Sequence, residues 1–261
     1  MDTVLVAFSG GVDSTLLAAT ANEVLGNKAL SVFAHSPVCP PDDFEQAKTL
    51  AQKLGLRFQI AETDEMEDLQ FVANTPNRCY YCKLELFLKL KGIAGKEGLK
   101  WIADGTNYDD LTDYRPGRRA NLESGIRSPL LEAELTKEEI RHLSRERGLP
   151  TWDKPASPCL ASRIPYGTPV TTEILQKISA GESYLLSLGI RQLRLRHHGD
   201  IARIEVDIKD MALIFENQNR EQILKHLKDL GYKYITLDLA GYSTGSLNIN
   251  IAQNKGVLKI I

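Results

Sequence analysis

The turn Ser9-Gly10-Gly11-Val12-Asp13-Ser14 constrains this chain more than any other feature, because it joins two segments of different periodicity. Before it, Val4-Leu5-Val6-Ala7-Phe8 is an unbroken apolar run and reads as a buried strand. After it, Leu16-Leu17-Ala18-Ala19 and Val24-Leu25 return at helical spacing, so the segment reads as strand, loop, helix. The same alternation continues, with strands expected at residues 30–34, 57–60 and 101–103 and helices at 44–54 and 83–90. Strands that alternate with helices pair in parallel through right-handed crossovers, which predicts an α/β fold with an open, doubly wound sheet. Ligands of such sheets sit beyond the carboxyl ends of the strands. The Ser9 loop, His35-Ser36-Pro37 and the segment 104–110 are therefore expected to line one crevice.

The pattern changes further along. Thr136-Lys137-Glu138-Glu139 is a capping-box sequence that opens a helix, and Gly148 ends it. Residues 150–171 are rich in Pro, Ser, Gly and Thr, and a loop of that length is usually functional. From about Thr171 the sequence predicts a helix through Leu188, strands at 193–196 and 202–206, a helix through Leu230 and a last strand at 234–239. The expected organisation is a nucleotide domain over 1–150, a cysteine-bearing linker over 151–170 and a smaller α+β domain over 171–261.

Composition narrows the function classes. The 261 residues carry a formal net charge of -2, which gives no general electrostatic reason to bind nucleic acid or a membrane surface. No window of 18 apolar residues occurs and the N-terminus carries no signal-peptide pattern, so a soluble, cytoplasmic protein is expected.

The glycine turn supplies what a polyphosphate requires. Gly10 and Gly11 allow a tight turn, Ser9 and Ser14 offer hydroxyls, and the following helix presents the positive end of its dipole. Asp13 can hold a magnesium ion that bridges phosphates. Neither the Walker A pattern nor the dinucleotide fingerprint G-x-G-x-x-G is present, which argues against a kinase-like site and a Rossmann dehydrogenase. The competing explanation is a glycine turn in which Asp13 and Ser14 only cap the helix.

Four cysteines without a secretion signal argue for metal, cluster or catalytic use rather than a disulfide framework. Asn77-Arg78-Cys79-Tyr80-Tyr81-Cys82-Lys83 places two thiols three residues apart at a helix start, where the dipole favours thiolate. Cys159 lies in the proline-rich loop and can supply a third. Three thiolates suit a [4Fe–4S] cluster with one open iron, whereas structural zinc wants four ligands and would recruit Cys39. A redox dithiol at Cys79 and Cys82 is a further reading, and Cys39 alone reads as a small buried residue.

Ser9-Gly10-Gly11-Val12-Asp13-Ser14 resembles the S-G-G-x-D-S loop of the PP-loop ATP pyrophosphatases at all five specified positions. That resemblance implies that Ser9, Gly10, Gly11, Asp13 and Ser14 hold pyrophosphate and Mg²⁺ of ATP, with adenine near Ala34 and His35. Together with Asn77 to Lys83, Asp104-Gly105-Thr106-Asn107-Tyr108-Asp109-Asp110, Tyr114-Arg115-Pro116-Gly117, Arg127-Ser128-Pro129-Leu130, Pro150 to Pro155, Cys159 to Thr168 and Gly241 to Asn248, the order of motifs resembles the LarE sulfur transferases over essentially the whole chain. The LarE resemblance implies adenylylation of a pyridinium dicarboxylate mononucleotide and its conversion to a thiocarboxylate, in nickel-pincer nucleotide biosynthesis. It further implies either a [4Fe–4S] cluster on Cys79, Cys82 and Cys159 that carries sulfide, or a Cys159 that gives up its own sulfur. A symmetric homo-oligomer, a sulfide donor and a downstream nickel-insertion protein are the expected partners.

Several charged residues remain. Arg194 and Arg196 share one face of a predicted strand and, with Ser162 and Arg163, can grip carboxylate or phosphate; solvated arginines on an exposed strand face are the alternative. Thr106 and Asn107 are expected in the nucleotide site. Asp104, Asp109 and Asp110 read either as metal or ribose ligands or as turn residues, and Glu182 as either a second metal ligand or a surface residue. His197 and His198 are adjacent on a strand and point to opposite faces, which argues against one shared metal. Rival functions are a tRNA-thiolating enzyme, which predicts a basic surface, an ammonia-using amide synthetase, which needs no cysteines, and a non-catalytic ATP- or redox-sensing protein.

Overall fold

The computed structural model describes residues 1–111 and 116–243. Its contacts divide the chain into two compact units, 1–158 and 159–261. The segment 151–170, expected as a linker, is thus shared between them, 151–158 belonging to the first unit and 159–170 to the second.

The first unit is built on four parallel strands, β1 (Val4–Ala7), β2 (Ala29–His35), β3 (Phe58–Glu62) and β4 (Trp101–Ala103), in the order β3-β2-β1-β4. The chain adds β2 and β3 on one side of β1 and then returns to place β4 on the other. The strand order therefore reverses between β1 and β4, and the crevice beyond their carboxyl ends is where such folds bind ligands. The helices are α1 (Val12–Leu25), α2 (Pro41–Lys53), α3 (Leu69–Val72), α4 (Arg78–Lys96), α5 (Gly117–Ser124), α6 (Pro129–Glu132) and α7 (Lys137–Glu146).

Period-two alternation in the strands builds a core on each sheet face. Val4, Val6 and Phe8 pack with Leu16 and Leu17 of α1, Ala47 and Leu50 of α2 and Ile140 of α7. Leu5, Leu30 and Val32 pack with Phe87, Leu90 and Ala94 of α4 and Ala120 of α5. The sheet is covered on both sides, as the continuous apolar strands predicted. Helix α4 exceeds the expected 83–90 at both ends, running from Arg78 to Lys96, so Cys79 and Cys82 lie within its first five residues.

The second unit contains a three-stranded sheet in the order β5-β6-β7, from β5 (Leu193–His198), β6 (Ile201–Val206) and β7 (Tyr234–Leu237). The β5 and β6 pair is antiparallel and the β6 and β7 pair is parallel. Helices α8 (Thr172–Ser187), α9 (Met211–Phe215) and α10 (Asn217–Asp229) accompany it, so the single helix expected up to Leu230 is two. Leu185, Leu195, Ile204 and Leu227 are at the centre of its core. Gly181 leaves room for this packing, since a Cβ there would overlap Leu195 Cδ2 and press on Leu227 Cδ2. A 3-10 turn, Leu160–Arg163, follows Cys159 inside the segment expected to be loop. No helix among the described residues is long and apolar enough to cross a membrane.

Candidate functional site

The loop between β1 and α1 takes its shape from two close approaches. Gly10 has φ +70°, and a Cβ there would meet Ala47 Cβ of α2 at 3.1 Å. Gly105, in the loop after β4, comes so near α1 that its Cβ would stand 3.0 Å from Ser14 N. Glycine at both positions lets the β4 loop and α2 press against the start of α1. Gly11 occupies the N-cap position in extended conformation, so its value is a small backbone at a helix N-terminus rather than a left-handed turn. Ser14 Oγ accepts from Ser9 N at 3.2 Å, lies 3.1 Å from Ser9 Oγ and donates to the Gly11 carbonyl at 3.3 Å. The two hydroxyls thereby close the loop on itself.

Asp13, on the first turn of α1, points its carboxylate at the mouth of the crevice. Its Oδ1 accepts from Asn107 Nδ2 at 3.2 Å, and its Oδ2 pairs with Lys137 Nζ from the first residue of α7. The capping box expected at Thr136 is formed and fixes that end of α7: Thr136 Oγ1 accepts from Glu139 N, and Glu139 Oε2 accepts from Thr136 N at 2.8 Å. On the other side of the loop, Lys154 Nζ donates to the Gly10 carbonyl at 3.2 Å. A groove of about 530 Å³ opens there, lined by Gly10, Gln46, Lys53, Thr151 and Lys154. Lys137 and Lys154 escaped the sequence reading. A lone lysine on a helix or in a loop carries no local signal, and only the fold brings these two to the glycine turn.

Asp104 is the polar centre behind the loop. It is 3% exposed, yet its carboxylate accepts from Thr106 Oγ1 at 2.8 Å, Thr106 N at 3.2 Å, Ser128 Oγ at 2.7 Å and Asn121 Nδ2 at 2.5 Å. Lys83 Nζ of α4 adds an ion pair at 3.3 Å. Burial alone would raise its pKa; the Lys83 charge and the donors from Ser128 and Thr106 outweigh it and hold Asp104 below the ordinary carboxylate range. This residue is a structural anion that shapes Thr106 and Asn107, with its lone pairs committed to protein donors. Asp110 serves the same turn, accepting from Asn107 N at 3.1 Å, while Asp109 accepts from Lys137 N at 2.8 Å. At the end of β2, Ala34 precedes His35, whose Nδ1 lies 3.0 Å from Glu62 Oε2 and whose ring packs against Phe44 with centroids 5.0 Å apart.

Cys79 and Cys82 are both half-buried on the first turn of α4. Cys39, expected to be buried, is half-buried against the apolar core, with its Sγ 3.5 Å from the Pro40 carbonyl. Among the described residues, neither unit brings three or more His, Cys, Asp or Glu side chains together as a metal-binding group. Magnesium nevertheless suits Asp13, since this ion commonly takes one or two carboxylates and completes its shell with phosphate and water. Cys79 and Cys82, three residues apart on one helical turn, are chemically suited to two of the thiolate positions of an iron–sulfur cluster.

In the second unit the residues singled out for anion binding form a buried ionic cluster. Arg163 is bidentate to Glu182, Nε to Oε1 at 2.9 Å and Nη2 to Oε2 at 2.8 Å, and its Nη1 donates to the Cys159 carbonyl at 3.1 Å and to Ser162 Oγ at 3.0 Å. Glu182 also accepts from Leu195 N at 2.9 Å. It is neither a surface residue nor open to a metal in this arrangement. Arg196 pairs with Glu205 at 2.8 Å and donates from Nη1 to the Ser162 carbonyl at 2.8 Å, while Arg203 takes the other Glu205 oxygen at 2.9 Å and lies 3.7 Å from Asp238. Arg194 lies beside the Tyr242 ring, 5.1 Å from its centroid, and burial followed by the nearby Arg163 charge pushes its pKa down. Among the described residues, ion pairs thus join Arg163 to Glu182, Arg196 and Arg203 to Glu205, and Arg203 to Asp238. His197 Nδ1 meets the Tyr232 hydroxyl at 3.2 Å, and burial lowers the pKa of both His197 and His198.

Of the motifs that carried the sequence resemblance, Tyr114 and Arg115 and the stretch from Thr244 to Asn248 lie outside the described residues.

Comparison with known proteins agrees with this geometry. Residues 1–77, which hold β1, the glycine loop and α1, match the family model of NAD synthase. Over 249 residues the chain is 41% identical to the pyridinium-3,5-bisthiocarboxylic acid mononucleotide synthase of Lactiplantibacillus plantarum, covering 94% of this chain and 88% of that one. It is 44% identical over 248 residues to the uncharacterized protein slr1717 of Synechocystis, covering 95% and 92%. The glutamine-hydrolyzing GMP synthase of Nitrosococcus oceani matches only 57% of this chain and 32% of its own length, at 30% identity.

Proposed function

The chain belongs to the pyridinium-3,5-bisthiocarboxylic acid mononucleotide synthases, the LarE family, and on that premise we propose that it is an ATP-dependent sulfur transferase acting on a pyridinium dicarboxylate mononucleotide. The observation that carries the reading is the position of Asp13, at the carboxyl edge of β1 where the strand order reverses, between Asn107 and Lys137 and beside a glycine loop. That is where a polyphosphate and its magnesium ion would be held.

In the first half-reaction a substrate carboxylate oxygen attacks the α-phosphorus of ATP. The bond from that phosphorus to the bridging oxygen of the β-phosphate breaks, and pyrophosphate leaves. Ser9, Gly10, Gly11 and Ser14 cradle the departing phosphates with hydroxyls and the N-terminus of α1. Lys137 and Lys154 supply positive charge where negative charge accumulates. A magnesium ion on Asp13 would neutralise phosphate charge. Ala34 and His35 would lie near the adenine, and Thr106 and Asn107 would complete the nucleotide site.

In the second half-reaction a sulfur nucleophile attacks the acyl carbon, and AMP leaves as the carbon–sulfur bond forms. A [4Fe–4S] cluster held by Cys79, Cys82 and Cys159 would carry the sulfide. Ser162, Arg163, Arg194 and Arg196 are the groups proposed to meet the carboxylate or phosphate of the substrate, because guanidinium groups grip such anions bidentately. A homo-oligomer, a sulfide donor and a nickel-inserting partner complete the reading.

The test is iron and acid-labile sulfide content, with an absorption spectrum, on protein reconstituted without oxygen, for wild type and for Cys79→Ala, Cys82→Ala and Cys159→Ala. About four irons per chain, lost in each variant, are expected. Turnover without iron, accompanied by loss of the mass of hydrogen sulfide from Cys159, would replace the cluster by sacrifice of that cysteine. Failure to form pyrophosphate from ATP and substrate would remove the transferase reading altogether.

A further inference from the structure

Within the first unit, a continuous polar chain joins the two-thiol turn of α4 to the phosphate loop. Lys83 follows Cys82 directly and lies one helical turn from Cys79. Its stem is confined on one side by Gly117, where a Cβ would stand 3.0 Å from Lys83 Cγ and 3.3 Å from the Cys79 carbonyl. Its ammonium lies 5.2 Å from the Phe87 ring centroid and donates to Asp104 Oδ2 at 3.3 Å. Asp104 grips Thr106 through both N and Oγ1. The next residue, Asn107, reaches Asp13 at 3.2 Å. Gly105, between Asp104 and Thr106, presses on Ser14.

Lys83 is not needed to satisfy Asp104. Thr106 gives two hydrogen bonds and Ser128 and Asn121 one each, which fills the roughly four lone-pair positions of a carboxylate. The pair spans surface and interior, the lysine side chain being 35% exposed and that of Asp104 4%. What Lys83 adds is a mechanical connection: a charged link between the helix that carries Cys79 and Cys82 and the residue that sets the loop around Asp13.

We propose that Lys83 is a positioning residue that couples occupancy of the phosphate loop to the conformation of the Cys79 and Cys82 turn. Mg·ATP engages Asp13 and Asn107, the strain passes through Thr106 and Asp104 to Lys83, and the thiol turn is fixed in register before sulfur transfer. The inference rests on the proposed reading of the loop as the ATP site and of the two thiols as sulfur-carrying groups.

The experiment measures the iodoacetamide alkylation rates of Cys79 and Cys82 in the reduced, metal-free full chain by peptide mass spectrometry, with and without Mg·ATP. Binding of Mg·ATP is followed in parallel by calorimetry. In wild type, Mg·ATP slows alkylation of both thiols about fivefold or more, the lower end of ordinary coupling between sites. In Lys83→Met, affinity for Mg·ATP stays within about twofold of wild type, a difference of less than about 0.5 kcal/mol, but the two alkylation rates no longer differ. Lys83→Arg restores part of the difference. A Lys83→Met protein that keeps the ATP-dependent slowing, or a wild type that binds Mg·ATP with unchanged alkylation, overturns the coupling. Loss of ATP binding in Lys83→Met would make Lys83 a nucleotide ligand instead and overturn it as well. A wild type that does not bind Mg·ATP removes the ATP-site reading and the coupling with it.

Discussion

Lys137 and Asp13 lie 124 residues apart in sequence and form an ion pair across the mouth of the crevice, with both side chains partly exposed. Because a magnesium ion would compete with the lysine for the same carboxylate, the two residues should respond oppositely to substitution. Lys137→Met is expected to lower kcat/KM for ATP about tenfold to a hundredfold, the cost of about 1.4 to 3 kcal/mol of lost charge stabilisation at the phosphates. The magnesium concentration needed for half-maximal ATP binding should fall in the same variant. Asp13→Asn should raise it. Steady-state kinetics and magnesium titrations by calorimetry check both; a magnesium requirement that rises in Lys137→Met would show that the lysine and the metal do not share Asp13.

Asp104 makes stability depend on acid. Its pKa in the folded protein is depressed below the unfolded value of about 3.9, so the folded state binds fewer protons than the unfolded state in that range. Its contribution is complete above the unfolded value and is lost as pH falls through the folded one. Between neutral pH and about pH 5 the difference in unfolding free energy between wild type and Asp104→Asn should be constant, and it should shrink on further acidification. Urea denaturation of the two proteins across that range measures it. A difference that grows below about pH 4 would contradict the sign.

Glu182 carries the buried end of the Cys159 turn. Its partner Arg163 has a side chain only 2% exposed, so Glu182→Gln leaves a guanidinium without its counter-ion in a dry setting. The expected loss is about 3 kcal/mol, at the lower end for breaking a buried pair from one side. Glu182→Asp should recover little, because the shorter stem cannot hold Arg163 and Leu195 N together. Chemical denaturation checks the stability, and the alkylation rate of Cys159 checks whether its turn has loosened. A change below about 0.5 kcal/mol, the range of ordinary surface substitutions, would show that the pair is dispensable.

The local elements were determined by the sequence itself. An apolar run, two glycines and a helical repeat sufficed for β1, the loop and α1, because backbone freedom and burial act within a few residues. The capping box at Thr136 was legible for the same reason. The cysteine pair was legible as a helical turn, and α4 begins at Arg78, five residues before the expected start. Helices α5 and α6 span eight and four residues, too few for a helical repeat to stand out in the sequence.

Tertiary structure decided which charges matter and how. Lys137 and Lys154 reach the glycine loop only because α7 and the segment after it return to it. Arg163 and Glu182 each looked like a ligand for something outside the protein, yet they meet one another at 2.8 Å in the interior. A charged side chain carries the same symbol in sequence whether it faces water, a substrate or an opposite charge. Its partner is set by chain segments far away, and a buried charge without such a partner would cost too much to survive.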